Sequence, residues 1–262
     1  MVFIAHDYSY KTSTSFFVLS LLFRFMLLGH DTPHIGAEMV LPPASFEYIK
    51  TANVHADGFY GVDWTDNDEI HLSAGSRGVR VYDKDLKYDK TIYLLDDDEA
   101  FSTALIRDKL ITHGASQAMK KYATYLGSFA DPQSTLLHSE FHKNPNNISH
   151  CSASEKYIAF ADTVNKRIKI FSASNNKNLY EIVPSPHLLN PFGVCILSDV
   201  ALVTYTGGKH VYKYSLTQKG KLIWVSDELS GQPSGITTDD SGFVYVSNNS
   251  SPNISVITLQ GK

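Results

Sequence analysis

The sequence predicts an all-β fold, a β-propeller of four-stranded blades, and three observations carry that prediction. Fifteen Tyr and fourteen Phe, together with frequent Val, Ile, Gly, Asn and Ser, are the residues that strands and tight turns favour. Short apolar segments separated by turn residues recur along most of the chain. A single pattern of strands returns five times, which a sandwich would not do and a propeller requires. With 43% hydrophobic and 19% charged residues, the chain carries enough apolar material for a sizeable core.

The third strand of the repeat is its clearest part. Val79–Tyr82, Met119–Tyr122, Ile168–Phe171, Val211–Tyr214 and Ile254–Ile257 have an aliphatic first residue and, in four of five, an aromatic fourth; their starts lie 40, 49, 43 and 43 residues apart. A second strand precedes each at hairpin distance: Ile70–Ser73, Leu110–His113, Ile158–Ala161, Leu202–Tyr205 and Val244–Ser247. Shorter innermost strands come before these, at Gly61–Asp63, Thr103–Leu105, Ser149–Cys151, Gly193–Cys195 and Gly235–Thr237. Outer strands follow the third ones at Thr91–Leu95, Leu136–Glu140, Asn178–Ile182 and Leu222–Ser226. The fifth repeat reaches Gly261-Lys262 without an outer strand, so Phe46–Thr51 is expected to pair there and close the ring, removing the exposed edges.

Residues 1–45 are predicted to be an N-terminal extension outside the propeller of residues 46–262. Phe16–Leu28 is an apolar run of thirteen interrupted by Arg24, shorter than the roughly 20 residues that span a bilayer. Lys11 is the only positive charge before it and Gly29-His30-Asp31 is a poor cleavage site, which favours the cytoplasm over secretion. The sequons at Asn147, Asn248, Asn249 and Asn253 belong to the alternative, a secreted glycosylated propeller. Pro42-Pro43 ends the extension. A net charge of −4 argues against a general attraction to nucleic acid, and DNA is not an expected partner.

Gln232–Asn248 resembles an NHL repeat, with Pro233, Gly235-Ile236, Asp239, a turn carrying Gly242, and a strand that ends in Ser247-Asn248. Phe160–Phe171 is similar to the middle of the same repeat. The likeness is good in the last three repeats, partial in the first and faint in the second. It implies a binding role, because NHL propellers of tripartite-motif ubiquitin ligases recognise a protein or an RNA. Such propellers usually have six blades, so the chain is either a five-blade variant or a six-blade ring with one blade beyond Lys262. Two cysteines cannot supply the zinc sites of a RING or B-box, so ligase activity is not expected in this chain.

Catalysis has little support in the residues. His55, His71, His113, His150 and His210 fall at inequivalent places in their repeats, whereas a channel metal needs matching ones, so no metal or cofactor is expected. Only Asp63 and Asp239 resemble the inner-strand acids of lactonase-type propellers, and Asp239 belongs to the repeat. Cys151 and Cys195 read as buried thiols rather than a disulfide. Asp96–Glu99 reads as a solvated loop between the first two repeats. The loops between second and third strands, at 75–77, 115–117, 163–167, 207–209 and 249–252, are predicted to share one face. They carry Arg77, Gln117, Lys166, Arg167 and Lys209, an arc suited to an acidic peptide or RNA phosphates. The bland alternative pairs these cations with carboxylates of neighbouring turns. The expected role is therefore a non-catalytic platform for a protein or RNA partner, with a propeller hydrolase or lyase as the alternative.

Overall fold

Alternation of apolar and polar residues in short runs leaves antiparallel sheets as the available solution, and the computed structural model shows them. It describes residues 61–64, 68–75, 78–92, 98–106, 109–116, 121–128, 135–141 and 150–262 apart from 189, 240–241 and 250–252, together with 18–20 and 51–53. Strands β1 (Val18–Ser20) and β2 (Thr51–Asn53) form a two-stranded pair. The first four-stranded sheet contains β3 (Gly61–Trp64), β4 (Ile70–Ser73), β5 (Val79–Tyr82) and β6 (Tyr88–Ile92). The second contains β7 (Asp98–Ile106), β8 (Lys109–Ser116), β9 (Lys121–Ser128) and β10 (Thr135–Phe141). The third contains β11 (Cys151–Ala153), β12 (Tyr157–Asp162), β13 (Arg167–Ser172) and β14 (Asn178–Ile182). The fourth contains β15 (Pro191–Leu197), β16 (Val200–Tyr205), β17 (Val211–Ser215) and β18 (Lys221–Val225). A three-stranded sheet follows, of β19 (Pro233–Thr238), β20 (Phe243–Asn248) and β21 (Ile254–Thr258).

Every neighbouring pair within these sheets is sequential and antiparallel, and successive innermost strands lie side by side, β3 on β7, β7 on β11, β11 on β15 and β15 on β19. The cores sit between sheets. Ala159, Ala161, Ile168 and Ile170 of the third sheet pack on Val194, Ile196, Ala201 and Val203 of the fourth. Cys195, Leu202 and Val211 of the fourth pack on Val244, Val246 and Ile257 of the last. Among the described residues no helix is long and apolar enough to cross a membrane.

The four-stranded sheets share an irregularity at the same place. The ladder between third and fourth strands slips between Val81 and Tyr82, between Thr124 and Tyr125, between Ile170 and Phe171, and between Lys213 and Tyr214. A bulge adds one residue to the outermost strand and twists the exposed edge away from foreign partners. These bulges correct the repeat in the second sheet. Its third strand begins at Lys121 and its motif is Tyr122–Tyr125, not Met119–Tyr122, which puts an aromatic residue, Tyr125, at the fourth position. Met119 and Lys120 lie outside the described residues.

Other boundaries shift for local reasons. The outer strand of the first sheet is Tyr88–Ile92 instead of Thr91–Leu95, because the turn closes early: the Asp83 carboxylate accepts the N–H groups of Asp85 and Lys87 at 2.9 and 2.8 Å. Asp98 and Glu99 of the acidic run belong to β7, which extends back to pair with Ser116 and Ala115. The closing strand expected at Phe46–Thr51 falls on residues 46–50, outside the described ones, except for Thr51. That residue pairs with Ser20 and not with β21. Two short β-rich segments, Val18-Leu19-Ser20 and Thr51-Ala52-Asn53, find each other through three matched ladder positions.

At Gly193 two innermost strands come close together. A Cβ built on it would lie 2.3 Å from the Ser234 carbonyl oxygen and 2.9 Å from Thr204 Oγ1, whereas one on Gly235 would meet only Ser247 Oγ at 3.0 Å. Backbone cannot give way as a hydroxyl can. Gly193→Ala is therefore expected to destabilise the fold by about 1–3 kcal/mol and Gly235→Ala by clearly less, as read from urea denaturation midpoints.

Candidate functional site

Hairpin topology puts the loops between second and third strands at one end of all the sheets, together with the segments that enter each innermost strand. The loop after β12 is built from its own polar residues. Asp162 Oδ1 accepts the Asn165 N–H and its Oδ2 accepts Asn165 Nδ2, both at 2.9 Å. Lys166 then takes a left-handed φ of 54°, which leaves its side chain exposed at the tip beside the 38% exposed Val164. Arg167 opens β13, where its guanidinium pairs with Glu181 on β14 and its Nε donates to the Asn165 carbonyl at 3.2 Å.

Lys209 stands one blade further on. Its ammonium pairs with Glu228, and its carbonyl accepts the Leu229 N–H at 2.8 Å, so loop and entering segment are tied at both ends of the residue. The hydrogen bond from Lys209 holds the Glu228 carboxyl below its ordinary range. His210 Nδ1 lies 2.9 Å from the Ser226 carbonyl. The structure thus brings Lys166, Arg167 and Lys209 to one end of the sheets and gives two of the three a carboxylate. Arg77 and Gln117 lie outside the described residues. Glu181 and Glu228 are the partners that sequence reasoning missed; Glu181 lies opposite Lys169 across the β13–β14 ladder, a register that only the structure supplies.

The acids singled out on inner strands serve the backbone. Asp63 Oδ2 accepts the Leu105 N–H at 2.8 Å across the boundary between the first two sheets. Asp239 accepts the Tyr245 hydroxyl and the Phe243 N–H, each at 2.8 Å, which fixes the β19–β20 turn. Cys151 and Cys195 are buried and form no disulfide, and burial pushes the Cys195 thiol up to about 11. His71 is fully buried with Nε2 3.1 Å from Glu69, and burial lowers its pKa although that carboxylate opposes the change. His150 lies against the Phe192 ring. Among the described residues no group of three or more His, Cys, Asp or Glu is placed to hold a metal ion. Of the described sequons, Asn248 is buried with its amide donating to Asn253 Oδ1 at 2.8 Å, while Asn249 and Asn253 are exposed.

No family model matches the chain, and no curated protein matches it. Solved structures do. Virginiamycin B lyase from Staphylococcus aureus superposes with a TM-score of 0.56 at 15% identity, over 78% of this chain and 68% of the lyase. The computationally designed Ika8 protein superposes with a TM-score of 0.54 at 10% identity, over 78% of this chain. The chain spans 60% of the length of that designed protein. The fold is a β-propeller.

One buried charge lies beneath this end of the third sheet. Lys169 is 2% exposed, pairs with Asp162 Oδ2 at 3.1 Å and stands 6.0 Å from the Phe160 ring centroid. Burial lowers its pKa from 10.5 to about 8, with the Glu181 carboxylate pulling the other way. Between these two values the unfolded chain keeps a proton that the folded one has shed, so folding gains stability as pH rises from about 8 to 10.5. The wild type is expected to gain on Lys169→Met across that window in urea melts. Parallel profiles for the two proteins would show that Lys169 titrates alike in both states.

Proposed function

We propose that this chain is a non-catalytic propeller platform that binds a protein partner on the end formed by the loops after β4, β8, β12, β16 and β20. The observation that carries this reading is the mixed charge of that end: Arg167 and Lys209 each hold a carboxylate, while Val164 and Lys166 project free of the strands. Phosphate binding favours uncompensated cations, whereas ion-paired rims around exposed apolar residues are common where proteins meet proteins. RNA is the weaker reading for the same reason. The resemblance of the last three repeats to NHL repeats supports binding over catalysis, and the likeness to virginiamycin B lyase carries the fold alone. In this reading the sheets are five blades of one repeat acting in the cytoplasm.

The test compares three immobilised proteins in a cell extract: the wild type, a loop variant combining Val164→Asp with Lys166→Glu, and Lys84→Glu in the β5–β6 turn at the opposite end. A protein held by the wild type and the Lys84 variant, lost by the loop variant and insensitive to ribonuclease is the expected result. Equal capture by all three would reject this end as the binding face. Loss on ribonuclease treatment would assign it to RNA.

A further inference from the structure

Between the first and second sheets lie three enclosed hydroxyls. Among the described residues Ser73 Oγ, Thr103 Oγ1 and Thr112 Oγ1 have no hydrogen-bond partner, and their residues are 0%, 5% and 1% exposed. All three face the same boundary. Ser73 lies opposite Val79 in the β4–β5 ladder, and Val79 packs on Leu105 and Leu110 of the second sheet. Thr103 and Thr112 are the i−2 and i+2 neighbours of Leu105 and Leu110, so strand alternation turns them to the same side, and they are themselves cross-strand partners. Gly61, the ladder partner of Ser73, brings the groups together: a Cβ on it would be 3.4 Å from Ser73 Oγ and 3.2 Å from the Thr103 nitrogen.

The fourth sheet shows what this position does when it is satisfied directly. Thr204 lies opposite Val211 as Ser73 lies opposite Val79. Its hydroxyl accepts the Gly193 N–H at 2.9 Å and donates to the Ser234 carbonyl of the next sheet at 2.6 Å. Ser73 makes neither bond, and two threonines of the next sheet face it. A buried hydroxyl left without a partner bears its full desolvation cost, and three together would weigh heavily on a fold of ordinary marginal stability.

We infer that this boundary is a binding site for buried water, which joins the Ser73, Thr103 and Thr112 hydroxyls where Thr204 makes a direct bond between sheets. A water there has the two to four polar partners that buried water needs, and it makes the first two sheets cohere through hydrogen bonds instead of side-chain packing alone. The aliphatic cluster at this boundary, Val79, Ala100 and Leu110, is smaller than those on either side of the fourth sheet, so the hydroxyls make up more of its contact.

Thr112→Val keeps the shape of the side chain and removes the hydroxyl, which separates the wet case from the dry one. With bound water the folded-to-unfolded ratio is expected to fall about tenfold in urea titrations. An unchanged or raised ratio overturns the site, because deleting an orphan hydroxyl from a dry core relieves a cost. A second measurement uses the wild type alone, so that a poorly folding variant does not decide the matter. Nuclear Overhauser cross-peaks between long-lived water and the Thr103 and Thr112 amides are expected, and their absence in the folded wild type overturns the site whatever the variant does.

Discussion

An innermost propeller strand has one edge with no further strand to pair, and the satisfaction of its N–H groups is the constraint on which this fold depends. At the first three boundaries the solution is the same: a short polar side chain bridges one innermost strand and a backbone N–H of the next. Asp63 takes the Leu105 N–H, Ser102 Oγ the Cys151 N–H at 2.8 Å and Ser152 Oγ the Ile196 N–H at 2.9 Å. Each bond removes a buried orphan donor and ties one sheet to its neighbour. The polar residues nearest the axis are thereby committed to architecture, which explains why Asp63, placed as a catalytic acid would be, works as a backbone cap.

This constraint also explains what could be read from the residues. Strand alternation, the aromatic fourth position and the hairpin spacing are local properties, so Ile168–Phe171, Val211–Tyr214 and Ile254–Ile257 were legible as third strands. The second repeat misled because Met119-Lys120-Lys121-Tyr122 imitates the pattern three residues early. Only the ladder slip between Thr124 and Tyr125 fixes the register. The caps were not legible at all. Asp63 and Leu105 are 42 residues apart, and no periodicity says which donor a carboxylate will meet. The ion pairs lie between these cases. Arg167 and Lys209 were visible as basic loop residues, yet their carboxylates sit on an outer strand and on an entering segment, whose alignment with the loops emerges only from the hairpin geometry.

The two ends and the two edges of the sheets divide the work. Inner edges are closed by side-chain caps, and outer edges are blunted by bulges at Asp89, Leu137, Leu179 and Ile223, one in each four-stranded sheet. Some apolar surface stays on the rim all the same: Leu222, Ile223 and Val225 of β18 are 45%, 49% and 44% exposed. The bulge at Ile223 makes that rim a poor template for another chain despite its composition. Loops therefore remain the part of the repeat free to vary without disturbing packing or capping.

Charge follows the same division. Lys169, Asp162, Glu181 and Arg167 form a connected group that runs from the buried boundary between sheets to the loop end, with Asp162 bonding both the buried ammonium and the turn that lifts Lys166 to its tip. A turn held from beneath by a buried ion pair presents its tip residues in one geometry, which reduces the ordering cost a partner would otherwise bear. Lys209 reaches a similar result by another route, since its pairing with Glu228 and the backbone bond to Leu229 fix loop and entering segment to each other. Arg167 and Lys209 are thus restrained by anions of their own fold. A restrained, charge-balanced surface discriminates by shape and by the position of each pair more than by net attraction, which is what the proposed platform role requires.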